Sequence, residues 1–287
     1  MINDLITVGN MFSDTKSRLA SHYDDNESKA MTELIFEELL KMDPVDVILR
    51  KDNEISDFIV DKIQKVVDRL LKDEPIQYIF GKSRFYGAEI KVTPDVLIPR
   101  PETEEMVDMI VKKWGATPDL SVLDLCTGSG CIAVTLARVL KFPVVRAVDI
   151  SAGALAVASE NASLQKVKVA FSRKDVLTMT LPPEEYDIIV SNPPYITPGE
   201  KKSMEANVLR YEPAEALFVP ESDPIIFYRV IGTLAKESLK SGGMLYFELN
   251  SLFHNEVKDL LCSLGFSDVE ILRDMSGNYR FGIATKL

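Results

Sequence analysis

Apolar runs of strand length that alternate with helix-length stretches constrain this chain most. Ser121 to Leu125, Val144 to Ile150, Val167 to Phe171 and Tyr186 to Ser191 are strand candidates, with helix candidates such as Ile132 to Leu140 and Ala152 to Ala162 between them. The alternation predicts an α/β fold, a mostly parallel sheet with helices on both faces, which is the doubly wound, Rossmann-like class. Met244 to Leu249 and Phe281 to Thr285, on either side of the helix candidate Phe253 to Leu264, complete the sheet. No internal repeat of solenoid length is present.

At 287 residues the chain is long enough for a second unit. Ser13 to about Lys72 shows no strand pattern and reads as small and all-helical. Asn26 is a candidate cap for a helix whose Met31, Leu34, Ile35 and Leu39 share a face, and Asp43-Pro44 pairs an N-cap with Pro at the first helical position. Ile59, Ile63, Val66, Val67 and Leu70 mark the face of a further helix. From Ser83 to Ile98 the period changes, and short strands around Gly87 predict a β-hairpin connector.

Hydrophobic residues at 46% and charged residues at 27% exclude a disordered chain, and 14 Gly with 15 Pro exclude a collagen-like one. The net charge of -11 repels phosphate backbones and argues against non-specific nucleic-acid binding. Cys126, Cys131 and Cys262 form no C-x-x-C pair, which fits neither a disulfide framework nor a zinc site and predicts a reducing compartment. Met1 to Leu5 shows no basic segment leading into an apolar core, and no run approaches the ~20 apolar residues of a membrane span. The expectation is a cytoplasmic protein.

Three motifs carry chemistry. The first strand runs into Cys126-Thr127-Gly128-Ser129-Gly130 just before a helix, where glycines let the backbone turn tightly and the helix N-terminus favours a carboxylate or phosphate. Gly128-x-Gly130-x-x-Ala133 also satisfies a dinucleotide fingerprint. Asp124, four residues before Gly128, is placed to orient the loop or, through water, a ligand ammonium. Asp149 ends the second strand 19 residues after Gly130, where a carboxylate accepts from two ribose hydroxyls, in NAD and S-adenosylmethionine alike. Asp175 and Val176 follow the third strand, as an acceptor for an adenine amine and an apolar contact to its ring.

The strand Asp187 to Ser191 ends in Asn192-Pro193-Pro194-Tyr195. Two prolines fix two φ angles, so the Asn192 side chain and the Pro193 carbonyl are held at one aim. Two converging acceptors match the two N–H bonds of a planar amide or aromatic amine, with Tyr195 as a flat face against it. Such a grip tightens as the nitrogen pyramidalises and gains positive charge during attack, which favours the transition state.

With these residues the sequence resembles the class I S-adenosylmethionine-dependent methyltransferases that act on planar amino groups. Glu74 to Gly81, Phe85-Tyr86-Gly87, Val96 to Glu104, Glu212 to Phe218 and Asp274 to Arg280 narrow the resemblance to the protein-(glutamine-N5) methyltransferases of class 1 peptide chain release factors. The resemblance implies a helical substrate-recognition domain over 1–73, a connector with a β-hairpin over 74–98 and a methyltransferase domain over 99–287. It implies S-adenosylmethionine as cofactor, held by Cys126, Thr127, Gly128, Ser129, Gly130, Asp149, Asp175, Val176 and Asn192. Asn192, Pro193, Pro194 and Tyr195 would bind the substrate, with Asn192, Pro193 and Tyr195 catalytic and no metal. The release factor is the implied partner, with no direct nucleic acid and no membrane. Cys126 and Asn250 each stand where the family pattern has Gly. Neither His22 nor His254 falls in a motif. The rivals are a ribosomal-protein glutamine methyltransferase, an adenine-N6 or cytosine-N4 nucleic-acid methyltransferase gripping a flipped base, a methyltransferase-like binding module and a dehydrogenase.

Overall fold

A computed structural model describes residues 6–287, without the side chain of Ser203. Met1 to Leu5, the segment read above for a leader pattern and as the start of the helical domain, lies outside the described residues. Two compact units make up the chain, the first ending at Phe80 and the second running from Gly81 to Leu287.

The first unit is helical: α1 (Val8–Leu19), α2 (Asp25–Leu40), α3 (Pro44–Leu49), α4 (Asp57–Leu70) and α5 (Ile76–Phe80). On α4, Ile63, Val66, Val67 and Leu70 recur at helical spacing and are buried, with Ile35 and Phe36 of α2 in the same core. Asp43 caps α3, accepting from the Val45 and Asp46 amides at 2.8 Å. The cap of α2 is Asp24, which accepts from the Glu27 amide at 2.9 Å. Asn26 instead sits inside the first turn, because Asp24 already offers a carboxylate one turn ahead of Glu27. Ile76 of α5 packs into this helical core, although the sequence places it in the connector.

The second unit opens with the hairpin β1 (Lys82–Phe85) and β2 (Ala88–Lys91), joined through Tyr86 and Gly87, both at positive φ. Val96 to Ile98 forms no strand. Then follow α6 (Pro101–Trp114), β3 (Ser121–Leu125), α7 (Cys131–Val139), β4 (Val144–Asp149), α8 (Ala152–Leu164), β5 (Val169–Arg173), β6 (Tyr186–Ser191), α9 (Ala206–Tyr211), α10 (Ala214–Leu217), α11 (Ile226–Ser238), β7 (Leu239–Glu248), α12 (His254–Ser263), β8 (Ser267–Arg273) and β9 (Tyr279–Thr285). The seven strands lie in the order β5-β4-β3-β6-β7-β9-β8, with β3 to β7 parallel and β9 antiparallel to both neighbours. The doubly wound sheet read from the alternation is present. Beyond that reading lie α6, α9, α10, α11, whose Tyr228, Ile231 and Ala235 are buried against the sheet, and the edge strand β8. Among the described residues no helix is long and apolar enough to cross a membrane.

Candidate active site

β3 neighbours both β4 and β6, so the strand order reverses there, and an open α/β sheet binds ligands beyond the C-terminal ends of such strands. Leu125 and Ser191 stand opposite in register, and the Ser191 hydroxyl donates to the Leu125 carbonyl at 2.6 Å. The loops beginning at Cys126 and Asn192 therefore leave from one buried tie.

The glycine loop is braced from below. Asp124 is fully buried, and its Oδ2 accepts from the Thr127 hydroxyl at 2.6 Å and the Ala133 amide at 3.2 Å, while Oδ1 has no partner. Burial pushes this carboxyl up to about 7. Asp124 orients the loop through these bonds and is not among the residues lining the adjacent cavity. The Thr127, Gly128 and Gly130 amides donate to Val148 O, Asp149 Oδ2 and Thr127 O. With these donors and the Ala133 amide spent internally, the Ser129 and Cys131 amides, both at the cavity, are the loop donors left for the anionic group expected there. Cys126 stands at φ +62°, the left-handed region where glycine is unstrained, which accounts for a Gly being usual there.

Beside the loop lies a cavity of about 350 Å³, within the range of ligand sites. Cys126, Thr127, Gly128, Ser129, Asp149, Asp175, Val176, Asn192 and Pro194 all line it. Gly130 does not. It sits at φ +77° with α8 against it, so that a Cβ there would come within 2.9 Å of the Ala158 Cβ, and its part is helix packing. Asp149 accepts from the Gly128 amide through Oδ2 at 2.8 Å and from the Ser151 amide through Oδ1 at 2.9 Å, and burial raises its pKa. Asp175 Oδ1 accepts from the Leu177 amide at 2.9 Å. Leu97, Ile132, Val148, Ile150, Leu177 and Phe227 supply apolar walls. Acceptors on two loops around an apolar slot suit a nucleoside, hydroxyls at Asp149 and the base beside Asp175 and Val176.

A second cavity, of about 230 Å³, is lined by Leu97, Arg100, Tyr195 and Ile196 among others and shares Asn192 with the first. Pro193 is buried and lines neither, and its carbonyl accepts no hydrogen bond from the described residues. Asn192 Nδ2 donates to the Thr103 hydroxyl at 3.2 Å, while its Oδ1 likewise accepts nothing from the described residues. Tyr195 does not offer only a flat face. Its hydroxyl donates to Glu248 Oε1 at 3.1 Å, and burial first, then the Glu248 charge, raises its pKa well above the ordinary value. Arg100 donates to the buried Glu212, which also accepts from the Ile98 amide at 3.3 Å, so the chain entering α6 is anchored at this cavity's wall.

Sequence reasoning misses Thr103 and Glu248, and marks Asn250 only as a departure from the family's glycine. Asn250 is the fold's own answer to the missing glycine. Its φ is -72°, its Oδ1 accepts from the Leu252 amide, and its Nδ2 donates to the Tyr195 carbonyl at 2.9 Å and to Glu200. For Glu248 the readable signal is a carboxylate inside an apolar strand run.

Residues 103–217 match the family model of the methyltransferase small domain, and residues 10–81 match that of the PrmC N-terminal domain. A release factor glutamine methyltransferase of Bacteroides thetaiotaomicron is 43% identical over 273 residues, covering 94% of this chain and 97% of the relative. One from Flavobacterium psychrophilum is 41% identical, covering 91% and 93%. The crystal structure of a methyltransferase from Pyrococcus furiosus aligns with a TM-score of 0.52 at 19% identity, over 76% of this chain and 96% of that one, and speaks to the fold alone. These matches show that the chain belongs to the release factor glutamine methyltransferase family.

Proposed function

We propose that this protein transfers a methyl group from S-adenosylmethionine to the side-chain amide nitrogen of a glutamine in a class 1 peptide chain release factor. The observation that carries the reading is Asn192, which lies on both cavities with an Oδ1 that accepts no hydrogen bond from the described residues. The residues of the larger cavity fit the cofactor. Asp149 keeps lone pairs for two ribose hydroxyls beyond the two amides it already accepts, Asp175 and Val176 suit an adenine edge and face, and the apolar walls exclude water. When bound, the cofactor supplies an electrophilic methyl on a sulfonium.

The chain's own residues do the rest. Asn192 Oδ1 accepts one N–H bond of the planar amide, and the Pro193 carbonyl, which lies off both cavity walls, accepts the second only once the bound glutamine reaches past Asn192, turning the nitrogen lone pair toward the donor cavity. These acceptors act more strongly as the nitrogen gains positive charge, so they lower the barrier instead of merely binding the glutamine. Orientation of two reactants in adjoining cavities contributes as well. The N–C bond forms as the S–C bond breaks, and the nitrogen releases one proton to water. We assign the helical unit to recognition of the folded factor, since one glutamine must be chosen among many. A cytoplasmic location belongs to the same proposal and is supported by three unpaired cysteines.

The test is incubation with a labelled methyl donor and, separately, release factor, ribosomes and DNA. Label on the factor alone is expected. Label on a ribosomal protein or on DNA, with none on the factor, would replace the substrate.

A further inference from the structure

Asn192 is useful to an amino group only if its oxygen, not its NH2, faces the acceptor cavity, and an amide side chain can sit either way round. Something must set its polarity. Asn192 Nδ2 rests on Thr103 Oγ1 at 3.2 Å, a hydroxyl that can donate or accept. Thr103, 2% exposed in the first turn of α6, donates its own proton to Glu248 Oε2 at 2.6 Å. Glu248, 2% exposed at the end of β7, takes the Tyr195 hydroxyl proton on Oε1. Arg280 Nη1 reaches the Tyr195 hydroxyl at 3.5 Å and the Leu249 carbonyl at 3.2 Å.

Resting on the acceptor role assigned to Asn192 above, we propose that Glu248 is a positioning residue that fixes the polarity of the Asn192 amide through Thr103. Burial raises the Glu248 pKa, while the Thr103 hydrogen bond, the Arg280 charge and the Tyr195 hydrogen bond lower it. Held ionised by these partners, the carboxylate has no proton to give, so both hydroxyls facing it must donate to it. Thr103 then has only lone pairs left on the Asn192 side. Asn192 must answer with its NH2, and its Oδ1 is left facing away from Thr103, as the free oxygen of the site. The same carboxylate orients Tyr195, so one buried charge sets two members of the Asn192 to Tyr195 loop. A neutral amide at 248 breaks the rule. Its oxygen can satisfy one hydroxyl, while its NH2 donates to the other and reverses it. With Thr103 reversed, the Asn192 oxygen turns to Thr103 and its NH2 confronts the substrate NH2, donor against donor.

The test is single-turnover transfer to release factor by the full chain carrying Glu248→Gln, Thr103→Val, both together, or Thr103→Ser. Glu248→Gln and Thr103→Val are each expected to slow transfer about 10²-fold, the scale of losing one preorganised partner of the transition state. The affinity for S-adenosylmethionine and the KM for the factor should stay within about threefold, since polarity acts on the reacting nitrogen. The double variant should be no slower than the slower single, because both changes break one chain. Thr103→Ser should recover most of the rate that Thr103→Val loses. A rate for either single variant within threefold of the unchanged protein, or a double variant whose losses multiply, would overturn the proposal. Thr103→Val decides the matter if Glu248→Gln does not fold. Failure of the unchanged protein to label the factor would instead overturn the proposed function.

Discussion

Replacing Asp149 by Asn separates what this carboxylate does for the loop from what it does for the cofactor. Its two oxygens accept from the Gly128 and Ser151 amides at 2.8 and 2.9 Å. Asparagine has one such oxygen, so whichever way it sits, its NH2 meets a backbone N–H. Leaving one donor of this kind unsatisfied costs about 1 to 3 kcal/mol of folding stability. The same change removes a charged acceptor from two ribose hydroxyls, at about 1.5 to 3 kcal/mol, which raises Kd for S-adenosylmethionine roughly 10- to 150-fold. The demethylated product keeps the ribose, so its Kd should rise by the same factor. Titration calorimetry with both ligands and urea unfolding of the empty protein measure the two effects independently. A variant less stable by this amount yet with both affinities unchanged would make Asp149 a loop brace alone and would remove it from the cofactor site.

Gly130→Ala combines a left-handed φ, about 1 to 2 kcal/mol, with overpacking against Ala158, about 1 to 3 kcal/mol. A loss of 2 to 5 kcal/mol (about the sum) in denaturant unfolding is expected, with Ala158→Gly restoring only the packing part, and a loss under about 1 kcal/mol would contradict the close helix contact. Asp124 has a folded-state carboxyl at about 7 against an ordinary value of 3.8, so the folded protein keeps a proton the unfolded chain gives up. Its contribution is therefore fully present below about pH 4 and is lost as pH rises to about 7, on the order of 4 kcal/mol at 1.36 per unit. Asp124→Asn should flatten that part of the unfolding-versus-pH curve, and an unaltered slope would refute the assignment. On α3, Val45, Ile48 and Leu49 share a face and are 62%, 69% and 77% exposed, an apolar patch suited to a protein partner. Ile48→Glu with Leu49→Glu should raise KM for the factor about tenfold, roughly 1.4 kcal/mol, and leave cofactor affinity alone, and an unchanged KM would clear this face of recognition.

Legibility followed the range of the physics involved. Asn192-Pro193-Pro194-Tyr195 could be read because two prolines set backbone angles locally, and Asp149 because a strand end before a tight turn places one carboxylate predictably. The alternation of period likewise exposed β3 to β6. What escaped depends on contacts made across the fold. Thr103 meets Asn192 from 89 residues away and Glu248 from 145, so neither partner marks the other in the sequence. The edge strand β8 was hidden because Asp268 and Glu270 face solvent, which gives a polar stretch the look of a loop. Gly130 shows a related limit. A positive φ is visible as a glycine, but whether the missing Cβ makes room for a ligand or for Ala158 is decided by packing.

The most direct test of methyl transfer at Asn192 is single-turnover labelling of a release factor by Asn192→Ala beside the unchanged protein, repeated on a factor whose target glutamine is replaced. Loss of one such acceptor of the charged transition state should slow transfer about 10²- to 10³-fold while cofactor affinity changes little, and the glutamine-less factor should take no label. Near-normal transfer by Asn192→Ala would contradict the acceptor role, and equal labelling of the glutamine-less factor would contradict glutamine as the site of methylation.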